Sequence, residues 1–335
     1  MKIDILDCTL RDGGYVNNWE FDNSTALDVI DGLYESGVRW IELGIMGKNP
    51  NVGKQTKFSE FNQILPLLKC RKKDCHYAVM LTTSLADEFT YPMCSSNTPD
   101  VIRVAYFKNE LSKTYDIVKK LKNLGYTVFM QAMATFMYDS KELEEMIRNV
   151  NEIHPEGFYV VDSFGTMYPH DVIKICNEIL CRLDKNIILG FHAHNNIQMA
   201  FSNVQEFIRL SKEHDIMIDG SIFGMGRGAG NVPIELIMNY LNKNYSQKYN
   251  FSTILDVFQR HISKIYEEKK WGYSMQYFLS SIYFINSSWG WFFINRGVDD
   301  LILLDKAYNM IPLEWKYTLN VSIGEKILES LLGEE

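Results

Sequence analysis

Short apolar runs recur along the first two thirds of the chain, and most are separated by a helix-like segment. Eight runs have the β-rich composition of strands: Ile3–Leu6, Val38–Leu43, Tyr77–Leu81, Val101–Val104, Thr127–Met130, Phe158–Val161, Ile187–Phe191 and Ile216–Ile222. Strands that alternate with amphipathic helices predict parallel βαβ units. Eight units favour a closed (β/α)8 TIM barrel, whereas five or six would favour an open doubly wound sheet.

The segments between these runs have helical periodicity. In Ser24–Ser36, Ser24 is in place for the N-cap, apolar residues recur every three or four positions, and Gly37 ends the helix. Leu111–Leu124 and Lys141–Ile153 repeat the arrangement. The class is therefore α/β.

The rhythm changes after about residue 245. Ile254–Lys270 predicts one long helix, and residues 271–293 are crowded with aromatic side chains. We predict a TIM-barrel domain over residues 1–245 and a helical C-terminal region over 246–335 that packs on the barrel. That region would serve as a lid, a dimerisation surface or a contact for a partner protein.

Composition narrows the class of protein. The chain has 335 residues and a formal net charge of −8, which argues against nucleic-acid binding because phosphate neutralisation needs a basic face. No apolar run approaches the ~20 residues of a membrane span, and the start of the chain has no signal-sequence pattern. The six cysteines form no CxxC pair and indicate reduced thiols in a cytoplasmic protein.

Charged and polar residues collect at the ends of the predicted strands, where the working face of such a barrel lies. The first strand ends in Asp7-Cys8-Thr9-Leu10-Arg11-Asp12-Gly13-Gly14-Tyr15. Later strands add Glu42, Arg103, Gln131, Asp162, Ser163, His192 and His194. These are too many charged groups for an inert rim, so a site is predicted there.

His192 and His194 are two residues apart on the seventh strand, so both imidazoles can point to one face. Asp12 adds a hard oxygen from the first strand. Two histidines and one carboxylate, with positions left for water and substrate, form a common catalytic divalent-metal arrangement. Core histidines also produce the His-x-His pattern, but its placement beside Asp12 favours a metal site.

Arg11 beside a metal-bound carboxylate suits an enolate or carboxylate oxygen; the alternative is an ion pair with Asp7 or Glu42. Asp162 either supports the metal ligands or caps the next loop, and Ser163 is a candidate for hydrogen bonding to substrate.

The glycine-rich run Gly224–Asn231 does not fit the dinucleotide-binding spacing. It predicts a tight loop that brings backbone amides or Asn231 to the mouth of the barrel. The helix predicted after it, Val232–Tyr240, would present an N-terminus that favours an anion.

These motifs resemble a known family. Asp7–Gly13 resembles the D-x-T-L-R-D-G signature of the DRE-TIM metallolyases, His192–Asn195 resembles their H-x-H-[ND] motif, and Gly224–Asn231 resembles their strand-8 loop. The chain is most similar to the 4-hydroxy-2-oxovalerate aldolase-like branch, over roughly residues 1–245.

The resemblance implies a type II aldolase or related carbon–carbon lyase. Asp12, His192 and His194 would hold Mn²⁺ or Mg²⁺, and a 2-oxo acid would chelate it as a pyruvate enolate that Arg11 stabilises. Ser163 and either Tyr273 or Tyr277 would contact substrate, while Asp7, Asp162 and Asn231 would support the site. Self-association is expected, and the branch also suggests an aldehyde dehydrogenase partner.

The chain departs from that branch after the R-D-G motif. The oxovalerate aldolases carry a histidine base there, and this chain has Tyr15. A phenol is a poor base at neutral pH unless a metal or cation assists it. Tyr15 would act as base or as hydrogen-bond donor beside a metal-bound water, and His170 is a third candidate. We therefore expect a different acceptor aldehyde or acid.

Three alternatives compete with this reading. Acyl-CoA-condensing relatives read R-D-G-E-Q, and residue 14 is glycine here, which disfavours Claisen chemistry. A Schiff-base aldolase needs a lysine at a strand end, where only Lys108 is near. A non-catalytic assembly subunit would have lost the metal ligands, which are present.

Overall fold

A closed barrel of eight parallel strands forms the body of the protein, as the sequence predicts. The computed structural model describes residues 1–48 and 54–332. In chain order the barrel strands β1 to β8 are Ile3–Asp7, Trp40–Met46, His76–Thr82, Val101–Tyr106, Thr127–Ala132, Gly157–Asp162, Ile188–Ala193 and Ile216–Gly220. Each strand pairs with the next, and β1 pairs with both β2 and β8, which closes the barrel. A two-residue strand, Lys57–Phe58, extends the sheet beside β2.

Helices surround the barrel, because each crossover must return the chain to the start of the next parallel strand. They are Asn23–Ser36, Leu65–Leu68, Leu111–Asn123, Ser140–Ile153, Pro169–Leu180, Ala200–Leu210 and Ile234–Asn244. The crossover after β3 contains a 3-10 turn, Thr83–Glu88, in place of an α-helix among its described elements.

The predicted N-cap at Ser24 is wrong by two residues. Asp22 is the cap, and its side chain accepts a hydrogen bond from the backbone N–H of Thr25. Ser24 donates its hydroxyl to Asp22 at 2.8 Å. A carboxylate at this position satisfies an amide and also complements the positive end of the helix.

The barrel interior is apolar at its base and charged near its mouth. The base contains Leu6, Trp40, Ala78, Val101, Phe129, Tyr159 and Met217. Gly190 faces Tyr159, and a Cβ there would lie 2.4 Å from the ring, so the tyrosine fills the space that a side chain would occupy. Residues two positions further along the strands point to the same interior. The charged groups of the site follow on that level.

The C-terminal region begins as an extension of the barrel core. Its helical segments are Phe251–Val257, Phe258–Ile262, Ser263–Glu268, Met275–Ile282, Ser288–Ile294, Leu301–Met310 and Val321–Leu332. The predicted long helix Ile254–Lys270 is interrupted by a π-helical turn at Phe258–Ile262. Ile254, Val257 and Trp271 pack in the main core. A second apolar core lies between Ile285 and Leu331, around Trp289 and Phe292.

Hydrogen bonds join the C-terminal region to the loops at the mouth of the barrel. Ser281 donates its hydroxyl to the carbonyl of Phe164 at 2.7 Å, in the loop after β6. Trp271 donates its indole N–H to the carbonyl of Phe223 at 3.0 Å, in the loop after β8. These contacts place part of the C-terminal region beside the loops at the mouth; the domain boundary and the lid, dimerisation and partner-contact roles stay predictions. Among the described residues, no helix has the length and apolar character to cross a membrane.

Candidate active site

The first strand delivers Arg11 and Asp12 to the mouth through a short helical turn, Thr9–Asp12. Asp7 fixes this turn by accepting hydrogen bonds from the backbone N–H of Thr9 at 2.9 Å and from its hydroxyl at 2.8 Å. Burial raises the pKa of Asp7 to about 7, although the bonds from Thr9 oppose the shift. The contacts of Asp7 are thus with the turn that carries Arg11 and Asp12.

Asp12, His192 and His194 meet at one place. Each offers one ligand atom, and these atoms lie within 4.8 Å of one another. All three side chains are buried. The rings of His192 and His194 are nearly perpendicular, with centroids 5.0 Å apart. The spacing of two residues therefore brings both imidazoles to the carboxylate of the first strand.

Orphaned polar atoms at this point fit a divalent cation. Oδ2 of Asp12 and Nδ1 of His194 are 3.9 Å apart, and neither has a hydrogen-bond partner among the described residues. Leaving such atoms buried and unpaired costs about 1–3 kcal/mol each. One carboxylate oxygen and two imidazole nitrogens are donors that Mn²⁺ and related ions accept.

The protonation states also fit a cation. Burial acts to raise the pKa of Asp12, but the neighbouring guanidinium of Arg11 outweighs it and holds that pKa below its ordinary value. Burial lowers the pKa of His194 to about 3, so its imidazole is neutral. An ionised carboxylate and a neutral imidazole are the forms that bind metals.

His192 is oriented from behind by Asp219 on β8. Its Nδ1 lies 2.8 Å from Oδ2 of Asp219, so Nε2 is the nitrogen that would be available to an ion. Asp219 also pairs with Arg103, whose guanidinium lies 4.8 Å above the ring centroid of Tyr159.

A buried ion-pair chain runs from this aspartate back to the first strand. Arg103 contacts Glu42 at 2.8 Å, Glu42 contacts Nε of Arg11 at 2.8 Å, and Arg11 pairs with Asp12. We call Asp12, Arg11, Glu42, Arg103 and Asp219 the buried ion-pair chain. Because charges this deep are tolerated only when they are paired, each member fixes its neighbours. Arg11 thus makes the ion pair with Glu42 that the sequence left open, and it also lines the cavity described next.

A small inner cavity of about 60 Å³ opens beside the three candidate ligands. It is lined by Arg11, Asp12, Tyr15, Ile45, Met80, Thr82, Ala105, Gln131, Met133, Val161, Ser163, His192, His194 and Arg227. Arg227 donates to the carbonyl of Ser163 at 3.1 Å, and its guanidinium carbon lies 5.4 Å from the ring centroid of Tyr15. The cavity joins a candidate metal centre to hydrogen-bonding groups and apolar walls.

The glycine-rich loop after β8 forms another side of this centre. A Cβ on Gly226 would lie 2.8 Å from Oδ2 of Asp12, so a larger residue would crowd the carboxylate. Asn231 donates to the carbonyl of Met225 at 3.4 Å and to Sγ of Cys8 at 3.6 Å. Cys8 is itself buried and donates to the carbonyl of Gly220. Asn231 therefore braces this loop against the first strand.

The remaining candidates are spread over different surroundings. Ser163 lines the inner cavity, but its hydroxyl accepts from the N–H of Ala134 at 2.9 Å. Asp162 accepts from the amides of Thr166 and Met167, which is the loop-capping alternative. Burial raises the pKa of Asp162 to about 7.

The two candidate tyrosines of the C-terminal region, Tyr273 and Tyr277, line different cavities. Tyr277 lines a larger cavity, the outer cavity, which lies outside the inner one between the loops after β1 and β8 and the C-terminal region. Tyr273 is 53% exposed and lines a different cavity, beside Asn195 and Asn231. His170 and Lys108 lie outside the residues that line the inner cavity, where His170 is exposed beside Asp171 and Lys108 pairs with Glu142.

Sequence reasoning missed Asp219 and Arg227. Asp219 lies inside the apolar run of β8. A lone carboxylate in a buried strand indicates that an oppositely charged or hydrogen-bonding side chain lies beside it in the core. Arg227 lies in the glycine-rich loop Gly224–Asn231, where the glycines, and not the arginine, carry the sequence prediction. Its position at the junction of the inner and outer cavities depends on tertiary packing.

Comparisons with known proteins match most of the chain. The HMGL-like family model matches residues 2–260. The 4-hydroxy-2-oxovalerate aldolase of Carboxydothermus hydrogenoformans is 28% identical over 261 residues, which are 76% of each chain. The oxaloacetate decarboxylase of Mycobacterium tuberculosis is 24% identical over 71% of this chain and 70% of its own.

A solved structure has a similar fold over most of the chain. The N-terminal domain of a putative aldolase from Bacteroides vulgatus superposes with a TM-score of 0.73 at 27% identity. The match covers 89% of this chain and 99% of that domain.

Proposed function

Because the chain belongs to the HMGL-like family and is a carbon–carbon lyase, as its named relatives are, we propose that it is a divalent-metal-dependent type II aldolase. It would act on a 2-oxo acid through the enolate of pyruvate, with an acceptor other than that of the oxovalerate aldolases. The observation that carries the proposal is the meeting of Asp12, His192 and His194 beside Arg11 in one small cavity.

Asp12, His192 and His194 would hold the ion, with Mn²⁺ or Mg²⁺ as the proposed metal. When bound, it would supply Lewis-acid polarisation of the 2-oxo group. The neutral imidazole of His194 and the ionised carboxylate of Asp12 suit this role. The inner cavity is small, so it would admit the pyruvate half of the substrate and leave the rest outside.

Arg11 would stabilise the charge that develops on the pyruvate half. Its Nε donates to Glu42 and its Nη1 donates to Asp12, so the guanidinium is held rigidly. Its other N–H groups remain available as donors. A preorganised donor in a buried site needs no reorganisation as an enolate forms. The same contact would serve both cleavage and condensation.

Tyr15 would handle the proton of the aldol hydroxyl. In cleavage that proton leaves, the carbonyl of the aldehyde forms, and the electron pair of the broken carbon–carbon bond passes into the enolate. Tyr15 lines both the inner and the outer cavity, and the cationic Arg227 lies against its ring. Tyr15 would act as base, or would orient a water that takes the proton.

Decarboxylation of a 3-carboxy-2-oxo acid is a second candidate function. It leaves the same enolate of pyruvate but needs no base to deprotonate a hydroxyl. The observation in its favour is the tyrosine at the position where the oxovalerate aldolases carry a histidine. Self-association and an aldehyde dehydrogenase partner remain proposals beside either reaction.

Exchange of the methyl protons of pyruvate in D₂O tests the common step. With Mn²⁺ and the protein, ¹H NMR should show loss of the methyl signal, and Asp12→Asn should abolish it. Asp116→Asn, an exposed aspartate on an outer helix, is the matched control and should exchange normally. Full exchange by Asp12→Asn, or none by the intact protein, would reject the proposal. The same three proteins are then assayed for decarboxylation of oxaloacetate and for condensation of pyruvate with an aldehyde. Decarboxylation without condensation indicates a decarboxylase, and condensation indicates an aldolase.

A further inference from the structure

A second, larger cavity lies directly outside the inner one. It has a volume of about 450 Å³ and lies between the loops after β1 and β8 and the C-terminal region. Its lining residues are Tyr15, Val16, Asn18, Trp19, Gly226, Arg227, Gly228, Lys269, Lys270, Trp271, Tyr277, Ser287, Ser288 and Trp291. We call it the outer cavity. Tyr15 and Arg227 line both cavities, so the two spaces meet at those side chains.

The outer cavity is positively charged in a protein whose formal net charge is −8. Arg227, Lys269 and Lys270 line it, and the described lining residues include no aspartate or glutamate. Three basic residues that line one concave space favour an anion there, because low-dielectric walls concentrate their field.

Packing fixes the chain segment that carries the two lysines. Trp271 is buried, donates to the carbonyl of Phe223, and packs edge-on against Tyr266 with ring centroids 4.8 Å apart. The ammonium of Lys270 lies 4.2 Å from the ring centroid of Tyr266. Lys269 directly precedes this anchored pair. The segment is therefore fixed beside the mouth, although both lysine side chains are exposed.

We propose that the outer cavity binds the acceptor half of the substrate, and that this acceptor is an aldehyde carrying a carboxylate or phosphate group. The inference rests on the proposed aldolase function and specifies its substrate class. An uncharged aldehyde would gain nothing from three cations. Trp19, Trp291 and Tyr277 supply flat surfaces for the body of the molecule.

The two cavities divide the reaction between them. In condensation, the methyl carbon of pyruvate loses a proton to become the enolate and forms a bond to the aldehyde carbon. The aldehyde oxygen takes up one proton and becomes the new hydroxyl. That hydroxyl would lie at the junction beside Tyr15, while Arg227 and the lysines would hold the anionic end of the acceptor.

Anion binding can be measured without any reaction. Trp19, Trp271 and Trp291 are three of the six tryptophans and line the outer cavity, so intrinsic fluorescence reports on it. Inorganic phosphate and succinate are the probes, titrated at constant ionic strength to remove general screening. The full-length protein should bind at least one of them saturably, and the better probe identifies phosphate or carboxylate as the preferred group.

A double variant tests the cations. Lys269→Gln with Lys270→Gln should weaken the binding by about tenfold or more, since each lost charge removes a favourable contact. Lys212→Gln with Lys243→Gln removes two exposed lysines at the opposite end of the barrel and should bind as the unmodified protein does. Absence of saturable binding, an equal affinity in the first double variant, or an equal loss in the second would overturn the proposal.

Acceptor preference gives the second arm. Pyruvate condensation with succinic semialdehyde or glyceraldehyde 3-phosphate should exceed condensation with propanal by at least tenfold in kcat/KM. The preference should fall in the Lys269→Gln, Lys270→Gln variant. Equal or better use of propanal rejects the inference while leaving the aldolase function intact. Missing methyl exchange in D₂O rejects the aldolase function, and the fluorescence titration then still decides whether the outer cavity binds anions.

Discussion

Asp219 Oδ2 lies 2.8 Å from Nδ1 of His192, on a neighbouring strand of the barrel interior. If Nδ1 donates to this carboxylate, Nε2 is the nitrogen that would hold an ion together with Asp12 and His194. Arg103 holds the same carboxylate from the other side. The candidate metal centre thus depends on a residue that does not belong to the set of ligands.

Replacing Asp219 should weaken metal binding. Asp219→Asn removes the charged acceptor that fixes the tautomer and orientation of His192, and a loss of about 10–100-fold in Mn²⁺ affinity is expected. Isothermal titration calorimetry measures the effect on protein whose fold is verified by circular dichroism. Asp215→Asn, which alters an exposed aspartate beside the start of β1, is the control. Unchanged affinity in a folded Asp219→Asn protein would show that His192 is oriented by other means.

Replacing Arg11 with alanine should slow the exchange of pyruvate methyl protons by about 10²-fold or more, because in the proposed mechanism Arg11 stabilises the charge of the enolate. Arg11→Ala loses that donor, and it also leaves Glu42 with one partner fewer. Arg11→Lys keeps the charge but lacks the fork that binds Glu42 and a substrate oxygen together, so partial rescue is expected. A reduction of less than about fivefold in Arg11→Ala would assign the residue to structure alone.

Tyr15→Phe should separate the two halves of the reaction. The phenol lies where the inner and outer cavities meet, and the proposed enolate would form deeper in the site. Aldol condensation should therefore fall at least tenfold, with methyl exchange reduced far less. NMR follows both rates in one sample of pyruvate and an aldehyde. Parallel losses of the two rates would place Tyr15 in the enolisation step, and retention of both would remove it from the mechanism.

The stability of the protein should depend on pH through Asp7. Burial raises the pKa of this carboxyl to about 7, from 3.8 in the exposed state. Between these values the folded protein keeps a proton that the unfolded chain has lost, so stability is full at low pH and falls as the pH rises through 7. The slope reaches about 1.4 kcal/mol per pH unit.

Urea unfolding at pH 5 and pH 7.5 measures this contribution when the intact protein is compared with Asp7→Asn, which cannot titrate there. The difference in unfolding free energy should shift by about 2 kcal/mol against the intact protein at the higher pH. Asp116→Asn supplies the matched exposed site and should show no shift. A difference that is constant with pH would mean that Asp7 is ionised in the folded state.

Much of the fold could be predicted because its signals are local. Each strand of the barrel is an apolar run, and Gly37 ends the first outer helix in the left-handed conformation that favours glycine. The meeting of His192 and His194 with Asp12 also followed, since period-two alternation fixes the first two and closure of the barrel brings the third beside them.

The rest depends on contacts between distant parts of the chain. Asp219 and Arg103 lie 116 residues apart, and neither flanking sequence shows that they pair. Asp22 and Ser24 both precede the apolar stripe of the first outer helix, and both residue types are favoured as N-caps. Propensity alone therefore does not identify Asp22 as the cap. The outer cavity requires the C-terminal region to lie over the mouth, which follows from Trp271 and Ser281 binding carbonyls in barrel loops.

The buried ion-pair chain restricts how this protein can diverge. Neutralising Glu42 leaves Arg11 and Arg103 short of a counter-charge in the interior, so tolerated changes there must come as compensating sets. Lys269 and Lys270 are exposed, so replacing either one requires no compensating change in the interior. Descendants of this sequence could therefore acquire new acceptors by single steps at the rim, while the chemistry at the centre is inherited unaltered.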